Sequence, residues 1–169
     1  ESNQVNANFG VAVATAGDVN GDGFSDVIVG AQQYDSPTTA EGKAFLYYGS
    51  ASGLSLTPNW SCEGNQLGAQ LGYSVATAGD VNGDGFDDVI VGAFSYNNGE
   101  TDEGRAFVFH GSAGGPSAGA DWSAESNQAS AAFGISVATA GDVNGDGFDE
   151  YAAMVAENFG GTGTFVFLA

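Results

Sequence analysis

Three stretches of this sequence carry oxygen-bearing side chains at closely alternating positions. Asp18, Asn20, Asp22 and Asp26 form the first set, Asp80, Asn82, Asp84 and Asp88 the second, and Asp142, Asn144, Asp146 and Glu150 the third. Each belongs to a segment Asp-Val-Asn-Gly-Asp-Gly-Phe-x-(Asp/Glu). In a tight loop this spacing turns several oxygens toward one point, and Gly23, Gly85 and Gly147 at the sixth position permit the sharp turn that such a loop needs. Phe24, Phe86 and Phe148 would add a backbone carbonyl from the seventh position while their rings pack inward. A set of roughly six or seven hard oxygens without His or Cys suits Ca²⁺; Mg²⁺ demands tighter octahedral geometry, and Zn²⁺ prefers nitrogen and sulfur. The expectation is about three Ca²⁺ per chain.

Two plainer readings compete. Asn-Gly and Asp-Gly are hairpin turn signals by themselves, but a turn needs one Asx-Gly and not three or four convergent oxygens in triplicate. Like charges ~4 Å apart repel by ~1 kcal/mol in water and ~4 kcal/mol at an effective dielectric of 20, so the clustered carboxylates call for a cation. A helical EF-hand would need a bidentate Glu at position 12. Position 12 is Val29, Val91 and Ala153, each in an apolar strand run, so the loop is read as a β-hairpin loop closed by its ninth residue.

The charge count has the same origin. There are 21 Asp and Glu against 2 Lys and Arg, for a net charge of −19, and eleven of the acids fall in segments 18–26, 80–88 and 142–150. Three bound Ca²⁺ would bring the charge to −13. With Lys43 and Arg105 as the only full-time cations, no basic patch can neutralise phosphates, which argues against nucleic acid and anionic lipid as partners. A hydrophobic fraction of 43% supports a packed core, not an acidic disordered tail. No apolar stretch reaches the ~18 residues of a membrane span, and there is no initiator Met or signal-like segment at Glu1, as expected of a mature or excised product.

What must position these loops is a repeat of 62 residues. Val13 to Phe24, Val75 to Phe86 and Val137 to Phe148 are the identical string VATAGDVNGDGF, and Glu1-Ser2-Asn3-Gln4 returns at Glu63 and Glu125. The units are 1–62, 63–124 and an incomplete 125–169. Apolar runs within a unit are short, β-rich and bounded by Gly or Asn, which predicts strands near Val11 to Ala16, Val27 to Ala31, Ala44 to Tyr48 and Asn59 to Glu63. Gly recurs too often for any helix of useful length. The fold class is therefore all-β: four-stranded antiparallel propeller blades, about three in this chain, the third lacking its last strand. Closed propellers have ~4 to 8 blades. Further copies of the chain or further blades are thus expected partners; two copies would close a six-bladed ring, with residues 1–4 near the edge of the partner's last blade, and open joining would give a filament.

The order Phe9-Gly10, then Gly17-Asp18-Val19-Asn20-Gly21-Asp22-Gly23 with Asp26, then Val27-Ile28-Val29-Gly30-Ala31 resembles the FG-GAP repeat of integrin α-subunit propellers and their bacterial relatives. The resemblance implies a propeller whose loops between first and second strands bind Ca²⁺ on one face, with recognition made from the opposite face. It also implies an extracellular or cell-surface module for adhesion, recognition or structural assembly. The ligand assignment transfers to Asp18, Asn20, Asp22, Phe24 and Asp26 and to Asp80, Asn82, Asp84, Phe86 and Asp88. In the third loop Glu150 is one methylene longer than Asp, so either it reaches differently or Asp149 contributes. Leu71 replaces Phe in the second Phe-Gly, and Met154-Val155-Ala156 replaces the third Val-Gly-Ala.

Other chemistry is sparse. Tyr34 and Tyr96 occupy equivalent places in the loops Gln32 to Lys43 and Phe94 to Arg105, where aromatic faces beside amides and carboxylates could bind a glycan or a protein loop. The plainer reading is a packed Tyr in a surface loop. Trp60 and Trp122 fit blade-edge packing, Cys62 fits a buried thiol, and Glu100, Asp102 and Glu103 read as a solvated cluster. The single His, His110, has Tyr48 and Leu168 as its copies, and no nucleophile elbow is present, so an enzyme is not expected. A lectin-like glycan binder and a subunit that polymerises by strand exchange are the alternatives to the adhesion reading.

Overall fold

A computed structural model of the chain describes residues 4–155 and 164–168, with Val155 and 164–168 described as backbone. The regular elements are all strands: β1 (Phe9–Gly17), β2 (Asp26–Ala31), β3 (Lys43–Tyr47), β4 (Trp60–Glu63), β5 (Leu71–Gly79), β6 (Asp88–Ala93), β7 (Arg105–Phe109), β8 (Trp122–Glu125), β9 (Ser136–Gly141), β10 (Glu150–Val155) and β11 (Thr164–Leu168). They form three antiparallel meanders in the spatial orders β1-β2-β3-β4, β5-β6-β7-β8 and β9-β10-β11. The fold is all-β, in sheets of the kind that make propeller blades. Among the described residues no helix is long and apolar enough to cross a membrane.

The first strand of units 1 and 2 is longer than its apolar run suggests, because it contains bulges. Register shifts occur between Phe9 and Val13 and between Thr15 and Gly17, and again between Leu71 and Ser74 and between Thr77 and Gly79. The second bulge of each pair uses a glycine at positive φ, Gly17 at 76° and Gly79 at 80°, and turns the chain out of the sheet into the acidic loop. Tight spacing between the sheets explains a second glycine. A Cβ on Gly30 would overlap the carbonyl oxygen of Gly72, and one on Gly92 that of Gly134. Gly92 pairs with Ser74, and Met154 with Ser136, so the residue standing in the glycine place of the third unit is Met154. This shifts by one residue the correspondence drawn from sequence, part of which, Ala156, lies outside the described residues, as do residues 1–3.

The joints between units repeat. Amides of Gly68, Gln70 and Leu71 donate to the carbonyls of Thr39, Ala40 and Glu41 at 3.0, 3.1 and 3.0 Å, and Ser130, Ala132 and Phe133 do the same to Thr101, Asp102 and Glu103 at 2.7, 3.1 and 2.9 Å. Leu71, Val75, Phe133 and Val137 are buried against the preceding sheet. The half-buried Trp60 packs edge-on to Phe109 at 4.9 Å between ring centroids and donates its indole N–H to the Ser117 carbonyl at 3.0 Å; Trp122 meets Tyr151 at 5.2 Å. Both tryptophans thus join neighbouring sheets.

Cys62 lies in the core of the first joint, with Val75, Val91 and Phe109 in the same cluster. Burial pushes its thiol up to about 12. The native protein is expected to leave Cys62 untouched by a thiol reagent at pH 8, with one thiol per chain released in denaturant. Rapid native labelling would place Cys62 on an open surface.

Candidate metal centres

Each acidic loop is organised by its own backbone. In the first, Asp18 accepts the amides of Asp22 (Oδ1, 3.1 Å) and Gly23 (Oδ2, 2.8 Å), Asn20 Oδ1 accepts that of Asp22 at 2.9 Å, and Asp22 Oδ1 accepts that of Phe24 at 3.0 Å. Asp80, Asn82 and Asp84 repeat the set with the amides of Asp84, Gly85 and Phe86, and Asp142, Asn144 and Asp146 with those of Asp146, Gly147 and Phe148. Carboxylate and amide oxygens have further lone pairs, so these bonds fix the direction of each side chain while leaving acceptor capacity.

The ninth residue closes the loop from inside the fold. Asp26, fully buried, accepts the amides of Val19 (Oδ2, 3.0 Å) and Gly49 (Oδ1, 2.8 Å); Asp88, also fully buried, accepts those of Val81 (3.0 Å) and Gly111 (2.7 Å). Burial raises the Asp26 carboxyl above its ordinary value, with Asp22 and Asp18 adding to the rise and the two amides opposing it. Asp88 is raised to about 6, again chiefly by burial. Glu150 takes the Val143 amide with Oε2 at 2.7 Å, as Asp26 and Asp88 take theirs, and its other oxygen accepts from Asn144 Nδ2 at 2.8 Å. Asp149 turns away from its own loop, and its Oδ2 accepts the Asp80 amide of the second unit at 3.1 Å. Asp87 does the same to Asp18 at 2.7 Å. These carboxylates at the eighth position couple adjacent loops, a role the sequence reading missed although its signal was present: Ser25 stands there in the first unit, Asp in the other two.

The rings of the seventh residues also reach between units. A Cβ on Gly21 would overlap the Phe86 ring, and one on Gly83 the Phe148 ring. Phe24 and Phe148 are 41% and 44% exposed, so these rings lie along the surface of the loop row and are not packed inward as the sequence suggested.

As a donor set the loops fit a hard divalent cation. Every side chain in them that accepts a loop amide is an oxygen donor, and both cations of the chain are engaged elsewhere, Lys43 with Glu63 at 2.6 Å and Arg105 with Glu125 at 3.7 Å. Among the described residues no three acidic, His or Cys side chains close on one point tightly enough to hold a metal ion.

Tyr34 and Tyr96 are half-buried and make equivalent contacts. Each meets a neighbouring ring edge-on, Phe45 and Phe107 respectively at 5.7 Å, beneath Lys43 Nζ at 5.2 Å and the Arg105 guanidinium at 5.4 Å. Tyr96 also lines a cleft of about 350 Å³ between the first two sheets, together with Glu63, Asn65, Phe107 and Phe109. The acidic cluster beside it is not all solvated. Glu100 and Asp102 are exposed, whereas Glu103 is fully buried, accepting the amides of Asn98 and Glu100, because its carbonyl lies in the joint with the third unit. Its counterpart Glu41 is fully buried in the first joint and accepts from Thr38 Oγ1 at 2.8 Å.

The loops, the Phe-Gly turns and the glycines between sheets recur in one order. Residues 9–47 and 71–109 each match the FG-GAP repeat. The chain belongs to the FG-GAP repeat family. It is 38% identical over 120 residues to integrin alpha-PS2 of Drosophila melanogaster, an alignment covering 67% of this chain and 8% of that protein. It is 30% identical over 173 residues to integrin alpha-5 of Xenopus laevis, covering 97% of this chain and 16% of that protein, and 39% identical over 88 residues to integrin alpha-7 of Mus musculus, covering 52% and 7%. The FG-GAP chain therefore spans a small part of the length of these relatives.

Proposed function

We propose that this chain is a calcium-binding propeller module for adhesion or recognition at the cell surface or outside the cell, without catalytic activity. The observation that carries the reading is a loop repeated three times, in which oxygen side chains are aimed by the loop's own amides while both Lys and Arg of the chain are paired elsewhere. Asp18, Asn20, Asp22, Asp26 and the Phe24 carbonyl would hold the first ion, with the equivalent residues holding the second and third. Bound Ca²⁺ would supply positive charge to clustered carboxylates, two of which are fully buried at Asp26 and Asp88. The integrin relatives supply the adhesion and cell-surface part of the reading.

Isothermal titration with CaCl₂ tests it. Three ions per chain are expected, falling to two in Asp84→Ala, whose first and third loops are untouched; no calcium heat from folded protein would dismiss the reading. A second reading, glycan binding, is favoured by the cleft in which Tyr96 and Phe107 stand beside Glu63 and Asn65. A glycan array probed in calcium with no signal above background would remove it.

A further inference from the structure

Neighbouring acidic loops share a two-bond clamp. Asp87 Oδ2 accepts the Asp18 amide at 2.7 Å, and the Asp87 amide donates to the Asp18 carbonyl at 3.2 Å. Asp149 holds Asp80 of the second unit in the same two ways, at 3.1 Å each. The glycine ahead of each clamped aspartate makes the room: a Cβ on Gly17 would overlap the Asp87 carboxyl, and one on Gly79 that of Asp149. A second contact lies beside the clamp, since the Phe86 ring covers Gly21, and the Phe148 ring Gly83, too closely for either glycine to carry a side chain. The first and second loops are thus each held from outside, at their first and fourth positions, by the seventh and eighth residues of the next loop.

The clamping residue stands between two groups of its own loop that face the ion site. Phe86, whose carbonyl would be a ligand, precedes Asp87, and Asp88, the buried carboxylate that closes the loop, follows it. Ordering the second loop around Ca²⁺ therefore fixes Asp87 from both sides. Asp87 in turn fixes the backbone of Asp18, whose side chain heads the ligand set of the first loop. Backbone freedom given up by these residues when one loop fills is not given up again when its neighbour fills. We infer that adjacent loops bind Ca²⁺ cooperatively, each filled loop raising the affinity of the one beside it, with Asp87 and Asp149 as the positioning residues that carry the coupling. The inference rests on the calcium reading proposed above. Such coupling is reciprocal and typically changes affinity by about 5- to 150-fold. Among the described residues no such clamp joins the first loop to the third, so these two are expected to fill independently.

The test compares pairs of loops by calcium titration, in about 0.15 M NaCl to screen the repulsion between bound ions. Asp146→Ala silences the third loop and leaves the first and second, whose ligand residues are identical. A coupling of about fivefold between two equal sites gives a Hill coefficient of about 1.4, and at least that is expected. Asp84→Ala silences the second loop instead, and the remaining pair should titrate with a coefficient of about 1 or below. In the Asp146→Ala chain, adding Asp87→Ala should bring the coefficient down to about 1 with two ions still bound. Adding Asp87→Asn should preserve the cooperativity, because an amide oxygen can still accept from Asp18. Circular dichroism confirms that each variant is folded. Independent uptake of two ions by the Asp146→Ala chain would overturn the inference and leave the calcium reading in place, and so would cooperativity that survives Asp87→Ala. No uptake by the folded, unaltered chain would remove both.

Discussion

Removing calcium is expected to lower the melting temperature of this chain by about 15 to 30 °C. The size follows from mass action. A site with 100-fold more free ligand than its dissociation constant stabilises the fold by about 2.7 kcal/mol, so three such sites contribute roughly 8 kcal/mol. Extracellular calcium modules bind at about 10⁻⁴ to 10⁻³ M, and at the tighter end of that range 10 mM CaCl₂ supplies the 100-fold excess. For a domain of about 150 to 250 residues each kcal/mol moves the midpoint by about 2 to 4 °C. The physical source is the set of eleven acids in the three loop segments, with Asp26 and Asp88 fully buried and no Lys or Arg to offset them. Calorimetry in 10 mM CaCl₂ against excess chelator measures the difference, and a midpoint that does not move would remove the three ions from the account. In chelator the loops retain their amide-to-carboxylate bonds, such as Gly23 to Asp18 at 2.8 Å, so the expected product is a less stable folded protein and not an unfolded chain.

Much of this was legible in residue order, for reasons that are local. A bulge glycine, an alternating set of oxygens and a β-rich run each act within about ten residues, and a strict repeat presents the signal three times. The eleven strands and the ninth-position closure of the loop follow from such signals. What was not legible depends on the neighbouring unit. Glu103 reads as solvated because it sits between polar residues, and only the third unit crossing its carbonyl explains its burial. Asp87 and Asp149 sit beside loop ligands, yet their partners are the amides of Asp18 and Asp80, 69 residues earlier. The rings of Phe86 and Phe148 likewise find their contacts on Gly21 and Gly83 of the unit before.

The same dependence on the neighbouring unit makes Gly92 the position where a small change should do most harm. Gly92→Ala is expected to destabilise the folded protein by about 3 kcal/mol or more, and Gly92→Met more severely still. Gly92 does not adopt a positive φ, so its backbone would tolerate a side chain; the obstacle is steric, since its Cβ would overlap the Gly134 carbonyl oxygen and the Ser74 hydroxyl. A hydroxyl can rotate away. The carbonyl cannot, because Gly134 is held at φ of 80° and its amide donates to Met154 O at 3.0 Å, while Ser74 Oγ donates to that same carbonyl at 2.7 Å. Relief therefore requires the second and third sheets to separate, opening the contacts that bury Phe133 and Val137. Gly119→Ala is the matched control, because a Cβ there meets nothing within 4 Å and φ is not positive; it should fall within about 0.5 kcal/mol of the parent. Urea unfolding in CaCl₂ measures both. Equal stability of the two variants would mean that the sheets are not held as closely as the fold requires, and that the glycine of the second strand is a matter of sequence habit and not of packing.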